Sequence, residues 1–268
     1  MDLIDTLIGA ISLQASGLSG RELLALSIVI LAASVIRGYA GFGFSAIVVA
    51  GVSLFLPTRE VVPLVLLLEV SASLQMARNV WQDVNWRMVF SILAGSLLFI
   101  PLGQYVLLWV AIEPMRVIAA ILLLTAVIIT ATGRSFPVRN GPRSWILIGT
   151  VSGFMNGLLA MGGMWAIIFL LGSGNRVAAV RASLVALFFA TDSYAALTGA
   201  GQGLINYTIL VRFIWVLPAL FLGIWLGSRK FEGSNPDTYR KVVLIVLASL
   251  AVVLLIKAFL TAFMMGYQ

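Results

Sequence analysis

Long apolar runs separated by short polar loops make up most of this chain. Six runs are long enough to cross a bilayer, which takes about 20 apolar residues in a helix. They cover approximately residues 60–78, 86–108, 114–132, 176–198, 207–228 and 238–262. Because each run is continuous and does not alternate between apolar and polar positions, the pattern predicts membrane-spanning helices and not the strands of a barrel.

Two further apolar stretches, at about 21–56 and 144–172, are interrupted by glycine-rich centres. The first centre reads RGYAGFGF from Arg37, and the second reads GFMNGLLAMGGMW from Gly153. The arms beside each centre hold roughly 13–16 residues, which at about 1.5 Å per residue reach only part-way across a bilayer. We therefore predict two broken helical hairpins that re-enter the membrane.

The distribution of basic residues supports re-entrant hairpins. If both hairpins return to the side they enter, the N-terminus is outside and the loops at 79–87, 133–143, 173–181 and 229–241 are inside. Eleven basic residues are then inside and five outside, as the positive-inside rule requires, with Arg37 in the membrane. The inside residues are Arg78, Arg87, Arg134, Arg139, Arg143, Arg176, Arg181, Arg229, Lys230, Arg240 and Lys241, and the outside residues are Arg21, Arg59, Arg116, Arg212 and Lys257.

Weak similarity relates the two halves of the chain. RGYAGFG aligns with NGLLAMGG, EVSASL (69–74) with DSYAAL (192–197), and DVNW (83–86) with LINY (204–207). Each half holds one hairpin and three crossings, an odd number, so the halves have opposite orientations. We predict an all-α polytopic membrane protein with an inverted-topology repeat, an architecture typical of secondary transporters. The first repeat covers 1–132, a cytoplasmic linker 133–143, and the second repeat 144–268.

Composition excludes several classes of protein. The chain is 61% hydrophobic and 10% charged, with a mean hydropathy of +1.09, which excludes a soluble domain. It contains neither Cys nor His, so we predict no cofactor and no metal site. Walker, HExxH and GxSxG motifs are lacking, and we expect no enzymatic activity. The net charge of +7 lies mainly in the short loops, where membrane topology explains it better than nucleic-acid binding does.

The first hairpin tip combines three features that bind anions. Arg37 brings a charged planar fork to mid-membrane depth, where an arginine is a functional-site hypothesis by default. The glycines let the backbone approach a ligand, and the helix restarting near Phe44 and Ser45 points free N–H groups inward. The second tip has Asn156 at the position that matches Arg37. The candidate substrate-binding residues are Arg37, Gly38, Gly41, Gly43, Phe44, Ser45, Asn156, Gly157, Gly162, Gly163 and Trp165.

Two carboxylates, Glu69 and Asp192, lie deep within predicted crossing helices at equivalent repeat positions. A carboxyl group removed from water there can carry a proton, so these are the candidate proton-coupling residues. Structural alternatives exist: the glycines pack helices closely, Arg37 pairs with Glu69, and Asp192 pairs with a neighbour such as Arg212. The candidates for a neutral pathway lining are Ser71, Gln75, Ser193, Tyr194 and Gln202.

These motifs resemble those of the TauE/SafE family of sulfite and organosulfonate exporters, of the 4-toluene sulfonate uptake permease type. The resemblance covers most of residues 30–260 and rests on RGYAGFGFSAIVVAGVSLFLP, GFMNGLLAMGG, the last helices headed by Pro114 and Pro236, and the repeat. The chain departs from the family pattern after MGGMW, where no proline follows. The resemblance implies export of a small sulfur-containing anion, such as sulfite, sulfoacetate or isethionate, across a bacterial inner membrane.

The expected partners are therefore a small anion and the lipid bilayer, with protons and a second copy of the chain as further options. The expected mechanism is proton-coupled or potential-driven transport with the anion bound midway between the hairpin tips. Two alternatives remain at this point, an anion channel and a non-transporting subunit of a membrane complex.

Overall fold

The computed structural model describes residues 13–53, 55–111, 141–170 and 177–231, together with isolated positions at 118, 121, 122, 125, 128 and 245. All regular structure in these ranges is helical, which confirms the all-α part of the predicted fold class for the described residues. The helices are α1 (Leu13–Ser16), α2 (Gly20–Ala40), α3 (Phe44–Val52), α4 (Thr58–Val80), α5 (Trp86–Trp109), α6 (Pro142–Leu159), α7 (Gly162–Leu170), α8 (Val177–Gly201) and α9 (Tyr207–Phe231), with a short 3-10 turn at Trp81–Asp83.

Five of the described helices, α2, α4, α5, α8 and α9, are long and apolar enough to cross a membrane. Helices α4, α5, α8 and α9 correspond to four of the six predicted crossings. The other two predicted crossings, 114–132 and 238–262, lie outside the described residues, as does most of the predicted linker. The chain is therefore a multi-pass helical membrane protein.

Both glycine-rich centres break the chain where the sequence predicts, but the arms beside them are unequal. Helices α2 and α6 have 21 and 18 residues, whereas α3 and α7 have 9 each. The predicted arm length of 13–16 residues is therefore wrong for α2, α3 and α6, while the chain after Leu170 lies outside the described residues. That length was estimated from the apolar run alone. A helix extends to its caps, and α2 includes the polar residues at both of its ends.

The caps of α2 show this directly. At its start, the Ser19 hydroxyl accepts the Glu22 N–H at 3.3 Å, while the Glu22 carboxylate accepts the Ser19 N–H at 2.8 Å. At its end, Gly41 adopts a left-handed conformation with φ of 82° and donates its N–H to the Arg37 carbonyl at 2.8 Å. Arg37 thus lies in the last turn of a helix and not in the loop that follows it.

Helix α3 folds back along α2. A Cβ built on Gly43 would lie 3.8 Å from Ile36 Cγ2, and one built on Gly51 would lie 3.2 Å from Val29 Cγ1. Helices α2 and α3 therefore run in opposite directions, which is the geometry of a helical hairpin.

Helices α5 and α6 approach so closely that only glycine fits between them. A Cβ on Gly149 would lie 2.0 Å from the Ile92 carbonyl oxygen, and one on Gly157 would lie 1.9 Å from that of Ile100. Small residues that allow helix backbones to touch are typical of packing within membranes. For Gly157, close packing is therefore the role that the structure shows.

Helices α2 and α9 make an equivalent contact. A Cβ on Gly38 would lie 2.4 Å from the Ile224 carbonyl oxygen, and one on Gly227 would lie 2.1 Å from that of Val35. Helix α4 packs against α8. The first arm of each hairpin is thus joined to a helix from the other half of the chain.

We predict that Gly157→Ala lowers the free energy of unfolding by about 1–3 kcal/mol, because the added methyl group must push α5 and α6 apart. Denaturation of the purified protein in detergent measures this. The matched control is Gly201→Ala at the end of α8, where an added Cβ has no atom within 4 Å. Equal stability of the two variants would contradict the close-packing role.

Candidate functional site

A small cavity lies where the two helix breaks meet. The first tip, the second tip, α4 and α8 all contribute to its wall. The open space left within it is close to the minimum that holds one water molecule. In the part of the chain that the structure describes, the wall consists of Gly43, Ser45, Glu69, Asn156, Ala160, Gly163, Phe188 and Asp192.

Arg37 is fully buried and lies behind this wall. Its Nε atom is 3.0 Å from Glu69 Oε2, forming an ion pair whose geometry is not that of a hydrogen bond. The guanidinium also donates to the Ser73 hydroxyl at 3.0 Å and to the Gly41 carbonyl. The ion pair considered as an alternative in the sequence analysis is therefore present, and Arg37 itself does not line the cavity.

The Glu69 carboxyl group is also bound by the first tip. Ser45, in the first turn of α3, donates both its backbone N–H and its hydroxyl to this carboxyl group. The N–H groups in the first turn of a helix have no partner within the helix and favour an anion. A carboxylate of the protein thus occupies donors that the sequence analysis assigned to a bound anion.

Asp192 has a different environment. Asn156 Nδ2 donates to Asp192 Oδ1 at 2.7 Å, and Asn156 Oδ1 accepts the Gly162 N–H at 3.4 Å. The amide therefore connects the carboxylate of α8 to the start of α7. The suggested pairing of Asp192 with Arg212 is wrong. Arg212 instead binds Glu60 Oε2 at 2.5 Å in the first turn of α4, away from the cavity.

The two carboxyl groups line one cavity and repel each other electrostatically. Glu69 is 3% exposed and Asp192 2%, so water screens little of this repulsion. One guanidinium, from Arg37, stands next to two acids. Both acids that the sequence analysis selected thus lie at one cavity, and their part in proton coupling stays a prediction.

Ala160 forms part of the second tip and was missed in the sequence. Its φ of 55° makes it the one non-glycine residue with positive φ among those described. Its N–H donates to the Asn156 carbonyl at 2.7 Å, ending α6. Strained backbone of this kind persists where its surroundings hold it, and it clusters at functional sites. No side-chain chemistry in the sequence could have indicated it.

Phe188 was also missed. It lies on α8 one turn before Asp192, and its ring centroid is 4.5 Å from Arg37 Cζ. A Cβ built on Gly163 would lie only 2.0 Å from the tip of this ring. The spacing of four residues from Asp192 is a signal that could have placed Phe188 on the same face of α8.

Arg181 is a third residue that sequence reasoning assigned only to an inside loop. It lies within α8 and is buried, and its NH2 donates to the Gly38 carbonyl at 2.6 Å. Its side-chain stem packs against Gly41, where a built Cβ would lie 2.7 Å from Arg181 Cγ. A cation at the C-terminal carbonyls of a helix is stabilising, so Arg181 anchors the first tip to α8.

The remaining predicted site residues lie around the cavity without lining it. Neighbouring atoms occupy the space that a side chain would need at Gly38, Gly41 and Gly157. Phe44 is buried, and Trp165 is half-buried in α7. The candidates for a neutral pathway lining also lie outside the described wall; they are Ser71, Gln75, Ser193, Tyr194 and Gln202. Two of these amides bind within the protein, Gln75 to the Phe221 carbonyl at 3.0 Å and Gln202 to Gln104 at 3.4 Å.

Comparison with known proteins places this site in a family. The sequence model described as "Sulfite exporter TauE/SafE" matches residues 26–254, which include both tips and both acids. The chain belongs to the TauE/SafE family. A similar protein is the "Probable sulfite/organosulfonate exporter TauE" of Cupriavidus necator, which is 25% identical over 245 residues, covering 88% of this chain and 94% of that protein. No solved structure gave a significant match. Members of this family are membrane transporters and not enzymes.

We predict that Glu69→Gln lowers the free energy of unfolding by about 3–5 kcal/mol, because it leaves the buried Arg37 guanidinium without a counter-charge. Denaturation in detergent measures the change. The control is Asp83→Asn in the 3-10 turn, whose side chain is exposed and whose change should cost no more than about 0.5 kcal/mol. Similar losses for both variants would contradict the account of the Arg37–Glu69 pair.

We predict that Ala160→Gly leaves the fold intact and raises the thermal unfolding temperature, because glycine adopts positive φ without steric cost. Ala160→Val should lower it, since a β-branched residue is a poor fit to this conformation. A melting curve for each variant checks the order. A higher melting temperature for Ala160→Val than for Ala160→Gly would show that the strain is absent.

Proposed function

We propose that this protein is a secondary transporter that exports sulfite or a short organosulfonate, bound in the cavity between the two hairpin tips. The observation that carries the proposal is a cavity deep among membrane helices that joins both tips, two carboxyl groups and, directly behind them, a guanidinium. Membership of the TauE/SafE family and the name of the Cupriavidus necator relative support the class of substrate. The expected location is the bacterial inner membrane, with the N-terminus outside.

We further propose that the two halves form an inverted-topology repeat, each with one hairpin and three crossings. The matching asparagines Asn85 and Asn206 support it, because each accepts an N–H in the first turn of the helix that follows, at 3.2 Å and 3.0 Å. The packing between the halves supports it as well. Helix α2 of the first half packs against α9 of the second, and α6 of the second half packs against α5 of the first. Glu69 and Asp192 would then be related by the same pseudo-symmetry.

The charges of the site connect anion binding to protons. With both carboxyl groups ionised beside one guanidinium, the site carries a net negative charge and repels an anion. A buried charge without compensation is expensive, so an anion enters only when the acids carry protons and the charge of Arg37 is left to balance it. In this proposal each bound monovalent anion is accompanied by up to two protons, one on each acid.

Protonation of Glu69 also frees the groups that recognise the anion. The Arg37 guanidinium and the Ser45 donors, which now bind the Glu69 carboxyl group, become available to the oxygen atoms of a sulfite or sulfonate head. Charge-assisted hydrogen bonds from an arginine fork suit such oxygens. Movement of the helix pairs around the site then alternates access between the two faces.

Flux measurements in proteoliposomes test this function. Isethionate loaded inside should accelerate the entry of labelled isethionate, and the rate should saturate with concentration, as for a carrier. Flux that rises in proportion to the driving force without saturation would instead identify an anion channel. No flux of sulfite or of any short sulfonate would contradict the proposed function.

We predict that Asp192→Asn lowers proton-dependent flux of isethionate at least about tenfold, which corresponds to about 1.4 kcal/mol. The amide keeps the shape of the side chain but cannot exchange a proton. Glu60→Gln, at the far end of α4, serves as the control and should keep its flux. An unchanged dependence on the pH gradient in Asp192→Asn would remove Asp192 from the coupling mechanism.

A further inference from the structure

Phe188 lines the cavity, but the proposed function assigns it no role. We infer that its ring is a movable partition between Arg37 and the cavity, and that the ring limits the size of the sulfonate that the site admits. This inference rests on the proposed function for its substrate class. Its physical part, the partition, can be tested without transport.

The ring fills the distance between the two tips. One side faces the guanidinium of Arg37, with Cζ 4.5 Å from the ring centroid, and its edge meets the backbone of Gly163. Atoms Cζ and Cε1 of Phe188 would lie 2.0 Å and 2.3 Å from a Cβ built on Gly163. The ring therefore occupies the place that a side chain at Gly163 would take.

Two of the described wall residues contact Arg37 through their side chains. These are Glu69, which pairs with Arg37, and Phe188, which stacks on it. A ligand in the cavity must pass one of them to reach the guanidinium. Glu69 is held by hydrogen bonds from Ser45, whereas the ring is held by dispersion contacts and by its position over the cation. Turning the ring breaks no hydrogen bond, so Phe188 is the easier of the two to move.

The size of the cavity gives this movement a consequence for specificity. A sulfite or sulfonate head has three oxygen atoms around sulfur, and the space present is close to that of one water molecule. The wall must therefore move to admit any substrate. The ring borders the second tip at Gly163, which has no side chain. A smaller residue at 188 enlarges the site in that direction, and the substituent of a larger sulfonate then fits.

Transport selectivity tests the inference. Phe188→Ala and Phe188→Leu are compared with wild type for the ratio of benzenesulfonate flux to methanesulfonate flux in proteoliposomes. Changes of a methylene or more in an apolar pocket alter discrimination about 10–200-fold, and we expect a rise of that order for alanine and a smaller rise for leucine. The control is Leu184→Ala, which removes a fully buried side chain one turn earlier on α8 and outside the wall. An unchanged ratio in folded Phe188→Leu and Phe188→Ala would overturn the inference.

Chemical labelling tests the partition separately. The chain has no cysteine, so Ser73→Cys introduces a single thiol beside Arg37 and behind the cavity wall. An anionic methanethiosulfonate reagent should label this thiol several-fold faster when Phe188→Ala is added, and no faster when Leu184→Ala is added. Equal labelling in the two backgrounds would overturn the partition whatever the substrate is. Faster labelling in a protein that transports no sulfonate would uphold the partition and refute the proposed function.

Discussion

The buried ion pair between Arg37 and Glu69 is the interaction on which the rest of the site depends. It joins the last turn of α2 to the middle of α4, and it places the carboxyl group where the first turn of α3 can bind it. Without Glu69, the guanidinium would stand uncompensated in the membrane interior, which is expensive. Without Arg37, Glu69 would lose the guanidinium with which it pairs and would face Asp192 across the cavity uncompensated.

Glycine contacts make this arrangement possible at the level of the fold. They bring α2 against α9 and α6 against α5 at backbone distance, so each hairpin tip is held by a helix from the other half. The acids come from α4 and α8, which pack against each other. Neither half builds the cavity alone, and this explains why two weakly similar segments with different polar residues, arginine and asparagine, contribute to one asymmetric site.

The sequence predicted the helical class and the positions of both breaks, because these depend on apolar run length and glycine content. It did not predict the lengths of the hairpin arms, since hydropathy follows contact with lipid whereas α2 ends at a cap formed by Gly41. It also left open whether Arg37 faces the cavity or a partner, because that depends on the rotation of α2 relative to α4. Ala160 and Phe188 carry no polar signal, and only the meeting of both tips makes them part of the wall.

The central claim is that an anion enters this cavity together with a proton. Calorimetric titration of the purified protein with methanesulfonate, in buffers that differ in ionisation enthalpy, counts the protons taken up on binding. Methanesulfonate suits the purpose because it stays ionised across the working pH range, so any proton that appears is bound by the protein. We predict uptake of one to two protons per anion, and about one proton fewer in Asp192→Asn, because Glu69 still takes up its own proton. Binding of methanesulfonate without proton uptake would contradict it.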